Sequence, residues 1–362
     1  MLHDPNIHYL DNAATTMVNP DVIETITKAM AEHWANPSSL YTPGAHSELA
    51  LNKARADVAR TLGATAGEVY FTGCGSEGNN LAILGAARTR KWGKRIVCTG
   101  FEHPSVALPM QRLAQEGYDV QFVAPEADGH LNVDKMLELV DKNTILVAAM
   151  QVNNETGTAV HVDGVQAWMR VPVRLANIDS YSVSGHKIHA PKGIGALYLR
   201  KGYHIEPPYL GGGQEKGVRP GTENLPYAIG MAKAATLLSR TLPQRHKTLV
   251  ELNTRLREGL KQFPEVTLNS PEDAVPEVLN FSLNVIRSET MLHHLETMGV
   301  YVSSGSACSK GAASHTLTAM GLEPRRIDTA IRASFCADNT PEDVDALLEG
   351  LKTGLATLSR IR

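Results

Sequence analysis

Between residues 20 and about 235, short runs that are apolar almost throughout alternate with amphipathic helical stretches. The runs are "EVYFTG", "KRIVCTG", "YDVQFVA" and "NTILVAAMQV", and stretches such as "HPSVALPMQRLAQEG" lie between them. Strands without a polar face need covering on both sides, so the alternation predicts an α/β fold, a mainly parallel sheet flanked by helices. Two helices are expected ahead of the first run. "NPDVIETITKAMAEHW" offers Asn19 as cap and Pro20 in the first turn, and "SELALNKARADVARTLG" closes on Gly63.

The pattern changes near residue 240. "PQRHKTLVELNTRLREGLKQF" reads as a long helix, followed by a strand in "LNFSLNV", a helix around 289–298 and a C-terminal helix after "TPEDVDALLEGL". The expected division is a large α/β domain over 15–238 and a smaller α+β domain of 1–14 with 239–362. At 362 residues the chain is long enough for two cores.

With 43% hydrophobic residues, 20% charged residues and a net charge of −3, the composition is that of a soluble globular protein. It gives no reason to expect nucleic acid or an anionic membrane as partner. "MLHDPNIHYLDNAATT" lacks a basic start followed by an apolar run, and no apolar run reaches about 18 residues, so neither a signal peptide nor a membrane span is expected. Cys74, Cys98, Cys308 and Cys336 are scattered without a CxxC pair, which argues against a disulfide framework or a zinc site and for the cytoplasm.

"SYSVSGHK" reads as a strand ending in a turn, which places Lys187 at the sheet edge where α/β enzymes bind ligands. An amine there, with Ser184 and His186 as phosphate donors, suits a Schiff base with an aldehyde cofactor; a solvated loop lysine is the competing reading. "HVDGVQ" ends an apolar run in Asp163, either the carboxylate that keeps a pyridoxal ring nitrogen protonated or the cap of a following helix. Gln166 stands three positions on, within reach of a phenolic oxygen. "TGCGSEGNN" turns from strand to helix with Gly73, Gly75, Gly78 and the hydroxyl of Ser76, a phosphate-type site. "FEHPSV" puts His103 on a loop where its ring can stack on a planar group. "VSSGSACSKGAAS" presents Cys308 among small residues with Lys310 close by, the setting of a reactive thiolate.

Taken together, "YLDNAATT", "EHPSV", "NNETG", "HVDGVQ", "SGHKIHAPKGIGALY", "GGGQEKGVRPGTEN" and "SSGSAC" resemble, in order, the cysteine desulfurases of the NifS/IscS-like branch, fold-type I pyridoxal-phosphate enzymes. The resemblance runs from about residue 8 to the C-terminus. It implies that Lys187 is the Schiff-base lysine, that His103 stacks on the ring and that Asp163 pairs with the ring nitrogen. It places Gln166 and Asn154 near the phenolic oxygen or substrate. Gly75, Ser76, Ser184 and His186 would hold the phosphate, joined by Thr222 across a homodimer interface. Arg332 would clamp the substrate carboxylate, with Asn12 and Ala13 near the substrate. Cys308 would take sulfur from L-cysteine, leaving L-alanine, and pass it as a persulfide to an iron–sulfur scaffold or a tRNA-thiolation enzyme. A selenocysteine lyase and a weakly active paralogue serving as a binding partner are the alternatives.

Two departures stand out. The phosphate turn reads Gly75-Ser76 where relatives commonly have Ala-Thr. Asn154 and Asp163 are nine positions apart, too few for the usual crossover helix between parallel strands. The expectation is therefore either a rearranged connection or an Asp163 that sits elsewhere, with apolar sheet surface laid bare.

Overall fold

The computed structural model describes residues 4, 6–151, 162–304 and 314–361. The chain opens with β1 (His8–Tyr9), α1 (Pro20–Glu32), α2 (Thr42–Leu62), β2 (Val69–Thr72) and α3 (Gly75–Thr89). It continues through β3 (Arg95–Thr99), α4 (Pro104–Gln115), β4 (Asp119–Val123), α5 (Val133–Glu138) and β5 (Thr144–Met150). Next come β6 (Val162–Asp163), β7 (Ser180–Ser184), β8 (Gly195–Leu199) and the long α6 (Leu225–Leu260). The remainder is β9 (Thr267–Leu268), β10 (Val278–Ser282), α7 (Ser288–Thr297), β11 (Val300–Tyr301), α8 (His315–Ala319), α9 (Pro324–Asp328), β12 (Ala330–Ser334) and α10 (Pro341–Thr357).

The main sheet has the order β2-β8-β7-β6-β5-β3-β4, and only β8 runs against its neighbours. Local signals set the flanking helices: Asn19 Oδ1 accepts from Asp21 N at 2.9 Å ahead of α1, and α2 stops on Gly63 at φ 69°. One core packs α1, α2 and the first half of α6 on the sheet, through Val22, Leu51, Val58, Phe71, Tyr181 and Met231. A second core gathers Leu10, Leu279, Phe281, Ile331, Leu347 and Leu351 around the second half of α6. The N-terminal strand belongs to this second core, with His8 opposite Val300 and Tyr9 opposite Tyr301.

The sequence reading starts a helix at Pro243, yet α6 begins at Leu225 and runs through that proline. A mid-helix proline costs one backbone bond and some strain. Here the buried apolar positions end at Ala235 and resume at Leu249, so one core on each side of the exposed proline holds the helix together.

Asp163 stays in the sheet despite the short connection. β6 pairs parallel with β5, Ala149 opposite Val162 and Met150 opposite Asp163, and Asp163 also faces Ser182 of β7. Among the described residues β6 has two, Val162 and Asp163, a paired length of roughly 7 Å at about 3.3 Å per residue. Below β6, among the described residues, no strand fills the space between β5 and β7. A groove of about 1050 Å³, open to solvent, lies there, lined in part by Thr144, Val147, Ile178, Ser180 and Tyr203. Val147 is 41% exposed, so apolar sheet surface is laid bare as expected.

Candidate active site

The strand tips and the segment Ala13–Thr16 enclose a cleft of about 730 Å³. Its wall includes Lys187, His103, Asp163, Gln166 and Arg332, and also Gly75, Ser76, Ser184, His186 and Ala13. Residues from six separate stretches of sequence thus meet at one point. Asn154 and Cys308 lie outside the described residues.

Lys187 ends the 3-10 turn Gly185–Lys187 that follows β7, and its Nζ donates to the carbonyls of Ala13 and, at 2.8 Å, Ala14. Thr16 binds the same turn to the N-terminal segment: its N donates to His186 O at 2.9 Å, and its Oγ1 accepts from His189 N at 2.7 Å. The lysine is therefore aimed by two strands of backbone and not left to solvent.

Asp163 is buried at the tip of β6. Its Oδ1 accepts from Val165 N at 2.9 Å and its Oδ2 from Asn79 Nδ2 at 2.8 Å. Asn79 also donates to Ser105 Oγ at 2.9 Å, and Ser105 Oγ lies 2.7 Å from His103 Nδ1. One polar chain thus joins the carboxylate to the imidazole. His103 caps α4 by accepting from Ser105 N through Nδ1, so a neutral ring carries its proton on Nε2. Burial holds its pKa below the ordinary histidine value, with Asp163 opposing and Lys187 assisting. A neutral imidazole is a flat, uncharged surface suited to stacking.

His186 is also kept neutral. Burial, then Lys187 and Lys192, press its pKa down to about 4, and its Nδ1 lies 3.2 Å from Thr15 Oγ1. Arg332 is 1% exposed on β12, and its Nη2 donates to Asp11 Oδ1 at 2.8 Å. Burial raises the Asp11 pKa even though the Arg332 guanidinium pulls it down. The pair puts a guanidinium fork at the cleft wall, able to grip a carboxylate.

The wall fits a phosphate. Ser184 Oγ is buried and has no hydrogen-bond partner among the described residues, a deficit an anion would remove. α3 begins at Gly75, so its positive end and free N–H groups open on the same spot. A Cβ on Gly75 would run into Val165 Cγ2 and approach Ser184 Cβ to 3.5 Å. Glycine is what lets the helix start pack against Val165, in the turn after β6. The residues present thus suit a phosphorylated ring aldehyde such as pyridoxal phosphate, held by Lys187, His103 and Asp163.

Several expectations find a different place. Asn12 does not line the cleft; its Nδ2 donates to Ser334 O at 3.1 Å and to Asn339 Oδ1 at 3.1 Å, tying the N-terminal segment to the second core. Gln166 reaches the cleft, but its Nε2 donates to Ala13 O at 2.9 Å and its Oε1 accepts from Arg170. Thr222 is exposed and away from this cleft within the chain. The sequence reading also missed Asn79, Ser105, Met150 and Asp11. Asn79 was findable: it lies one helical turn after Ser76, on the face that meets the sheet.

The match to known proteins follows the geometry. Residues 8–347 match the aminotransferase class-V family model. A cysteine desulfurase of Nostoc sp. is 38% identical over 95% of this chain and 92% of its own length. A cysteine desulfurase IscS of Methanosarcina thermophila is 39% identical over 94% of this chain and 90% of its own. A solved NifS-like protein superposes with a TM-score of 0.90 at 35% identity, covering 96% of this chain and 99% of that one. A structure described as SspA in complex with cysteine superposes with a TM-score of 0.81 at 29% identity, over 92% and 99%. The chain belongs to the aminotransferase class-V family of fold-type I pyridoxal-phosphate enzymes, and within it to the cysteine desulfurases.

Proposed function

We propose that this chain removes sulfur from L-cysteine, releases L-alanine and leaves the sulfur as a persulfide on Cys308. The observation that carries the reading is the meeting of Lys187, Asp163, His103 and Arg332 around one cleft with a Ser184 hydroxyl that has no partner among the described residues. Pyridoxal phosphate supplies an electron sink for bonds broken at the substrate α-carbon and β-carbon. Ser184, Ser76, His186 and the α3 N-terminus would hold its phosphate. The Asp163 carboxylate would keep a proton on its ring nitrogen, Gln166 with Asn154 would serve the phenolic oxygen side, and His103 would offer the ring a flat neutral surface. Arg332 grips the substrate carboxylate beside Ala13, and Lys187 moves the α-proton. Cys308, as thiolate, attacks the substrate sulfur. The carbon–sulfur bond breaks, its electron pair stays with the carbon fragment, and protonation of that fragment gives alanine. The sulfur then passes to an acceptor for iron–sulfur clusters or thiolated tRNA.

The working unit is a homodimer in which Thr222 of the partner subunit completes the phosphate site. Exposed Trp34, Leu40, Leu49 and Leu210 support an apolar subunit contact. The chain divides into a large unit over 15–238 and a small one of 1–14 with 239–362, with α6 packed into both cores. Among the described residues no helix is long and apolar enough to cross a membrane, in keeping with a cytoplasmic enzyme.

The test is an absorbance spectrum of the purified protein loaded with pyridoxal phosphate, followed by L-cysteine. A visible band that shifts on cysteine, with alanine formed in wild type and in neither K187A nor C308S, is the expected result. A protein that takes up no cofactor, or forms alanine equally well without Lys187, overturns the reading.

A further inference from the structure

We propose that His189, Cys336 and Asp338 form a binding site for a zinc-like divalent cation at the seam between the two cores. His189 sits two residues beyond Lys187, and Cys336 and Asp338 lie in the turn between β12 and α10. One ligand atom from each falls within 4.8 Å of the other two. Tetrahedral zinc, with bonds of roughly 2.0–2.3 Å, holds its ligand atoms about 3.3–3.8 Å apart. Side-chain rotation by about an ångström closes the difference, and water fills the fourth position.

The histidine is already arranged for this. Its Nδ1 lies 3.0 Å from Met17 O, which fixes the tautomer with the proton on Nδ1 and leaves the Nε2 lone pair for a metal. Its backbone is in the left-handed region at φ 61°, an uncommon conformation for a residue with a side chain and one that persists where the surroundings fix it. Cys336 is half-buried in its turn. Cation binding replaces its thiol proton, which leaves to solvent, and forms a metal–thiolate bond. Asp338 is exposed and gives the ion a carboxylate and a way in.

Three cationic side chains share the adjoining cavity and oppose a cation, those of Arg170, Arg245 and Lys187, with the buried Glu277 carboxyl among them. Arg170 is turned to Gln166 Oε1 and Arg245 to Met169 O at 2.7 Å. Their field makes the site reversible rather than a permanent structural centre. Occupancy would tie the Lys187 segment to the small core, since Thr16 links His189 N to His186 O.

The experiment titrates zinc into C308S holoenzyme against a fluorescent zinc chelator; the substitution keeps the loop thiol out of the measurement. The expected result is one zinc per chain. Adding H189N or C336S should weaken binding by more than the roughly 10–100-fold typical of losing an outer partner of a metal ligand. D338N, at an exposed position where folding is not at stake, should weaken it as well. Cobalt in place of zinc should give a thiolate charge-transfer band in the difference spectrum that C336S removes. No zinc bound to C308S, or H189N and C336S binding as C308S does, would overturn the site.

Discussion

Met150 and Asp163 stand opposite each other at the C-terminal tips of β5 and β6, and one step earlier Ala149 faces Val162. Among the described residues the strands are joined only at these rungs and by Gln151 N donating to Asp163 O at 3.1 Å, so the N-terminal half of β5 borders the groove on that side. Its amides on that side should exchange with solvent like those of a sheet edge. In hydrogen-exchange mass spectrometry, peptides over 144–148 should exchange faster than those over Arg95–Thr99, which β4 and β5 cover on both sides. Equal protection of the two strands would mean that the groove is filled in solution.

The Asp163 carboxylate receives donors on both oxygens, from Val165 N at 2.9 Å and Asn79 Nδ2 at 2.8 Å. In D163N one amide must face the Asn79 amide or give up the Val165 contact, and the charge is gone in either case. Alanine formation should fall by at least about a hundredfold, the scale of losing one preorganised electrostatic group. Far-UV circular dichroism should stay unchanged. A D163N protein with near wild-type turnover would remove Asp163 from the ring-nitrogen role.

Ser184 carries a buried hydroxyl without a partner among the described residues. Such a group costs about 1–3 kcal/mol when left unsatisfied. S184A should therefore leave the cofactor-free protein as stable as wild type, or more so, while weakening retention of pyridoxal phosphate. Denaturant midpoints with and without cofactor read the two effects separately. Loss of stability in the cofactor-free variant would show that the hydroxyl has a structural partner and is not waiting for an anion.

Much of the cleft was legible because its chemistry is written in short local motifs. Lys187, His103, Ser76 and Asp163 each sit where a strand or turn ends, a position that hydrophobic patterning locates well. What patterning could not locate are contacts between distant segments. Asn12 sits in a motif of cleft residues, but its amide is bound to Ser334 and Asn339, more than 320 positions away. Asp11, its neighbour, is the one that meets Arg332. The short connection to Asp163 left two outcomes open, and spacing alone could not choose between them. Pairing with Met150 and Ser182 keeps Asp163 in the sheet. Pro243 likewise reads as a helix start until the apolar face on both sides of it is seen to be buried.

Glu102, next to His103, is buried at the base of the site. Its Oε1 accepts from Thr99 Oγ1 at 2.5 Å and Met150 N at 2.6 Å, while Oε2 has no partner among the described residues. Burial first, and then the nearby Asp163 charge, push its pKa up to about 8. The folded protein thus keeps this proton from the ordinary carboxylate range up to about pH 8, whereas the unfolded chain has already released it. Across that window the unfolded state binds one proton fewer, so stability falls as pH rises, on the order of 1 kcal/mol per pH unit. E102Q keeps an acceptor for Thr99 and Met150 and has nothing to titrate, so it should lose this slope while leaving the other ionisable groups in place. Denaturant midpoints of both proteins at several pH values between about 5 and 8 read the difference. Wild type should lose ground against E102Q as pH rises. Parallel lines for the two proteins would mean that Glu102 is ionised in the folded state, leaving two adjacent carboxylates beneath the ring site.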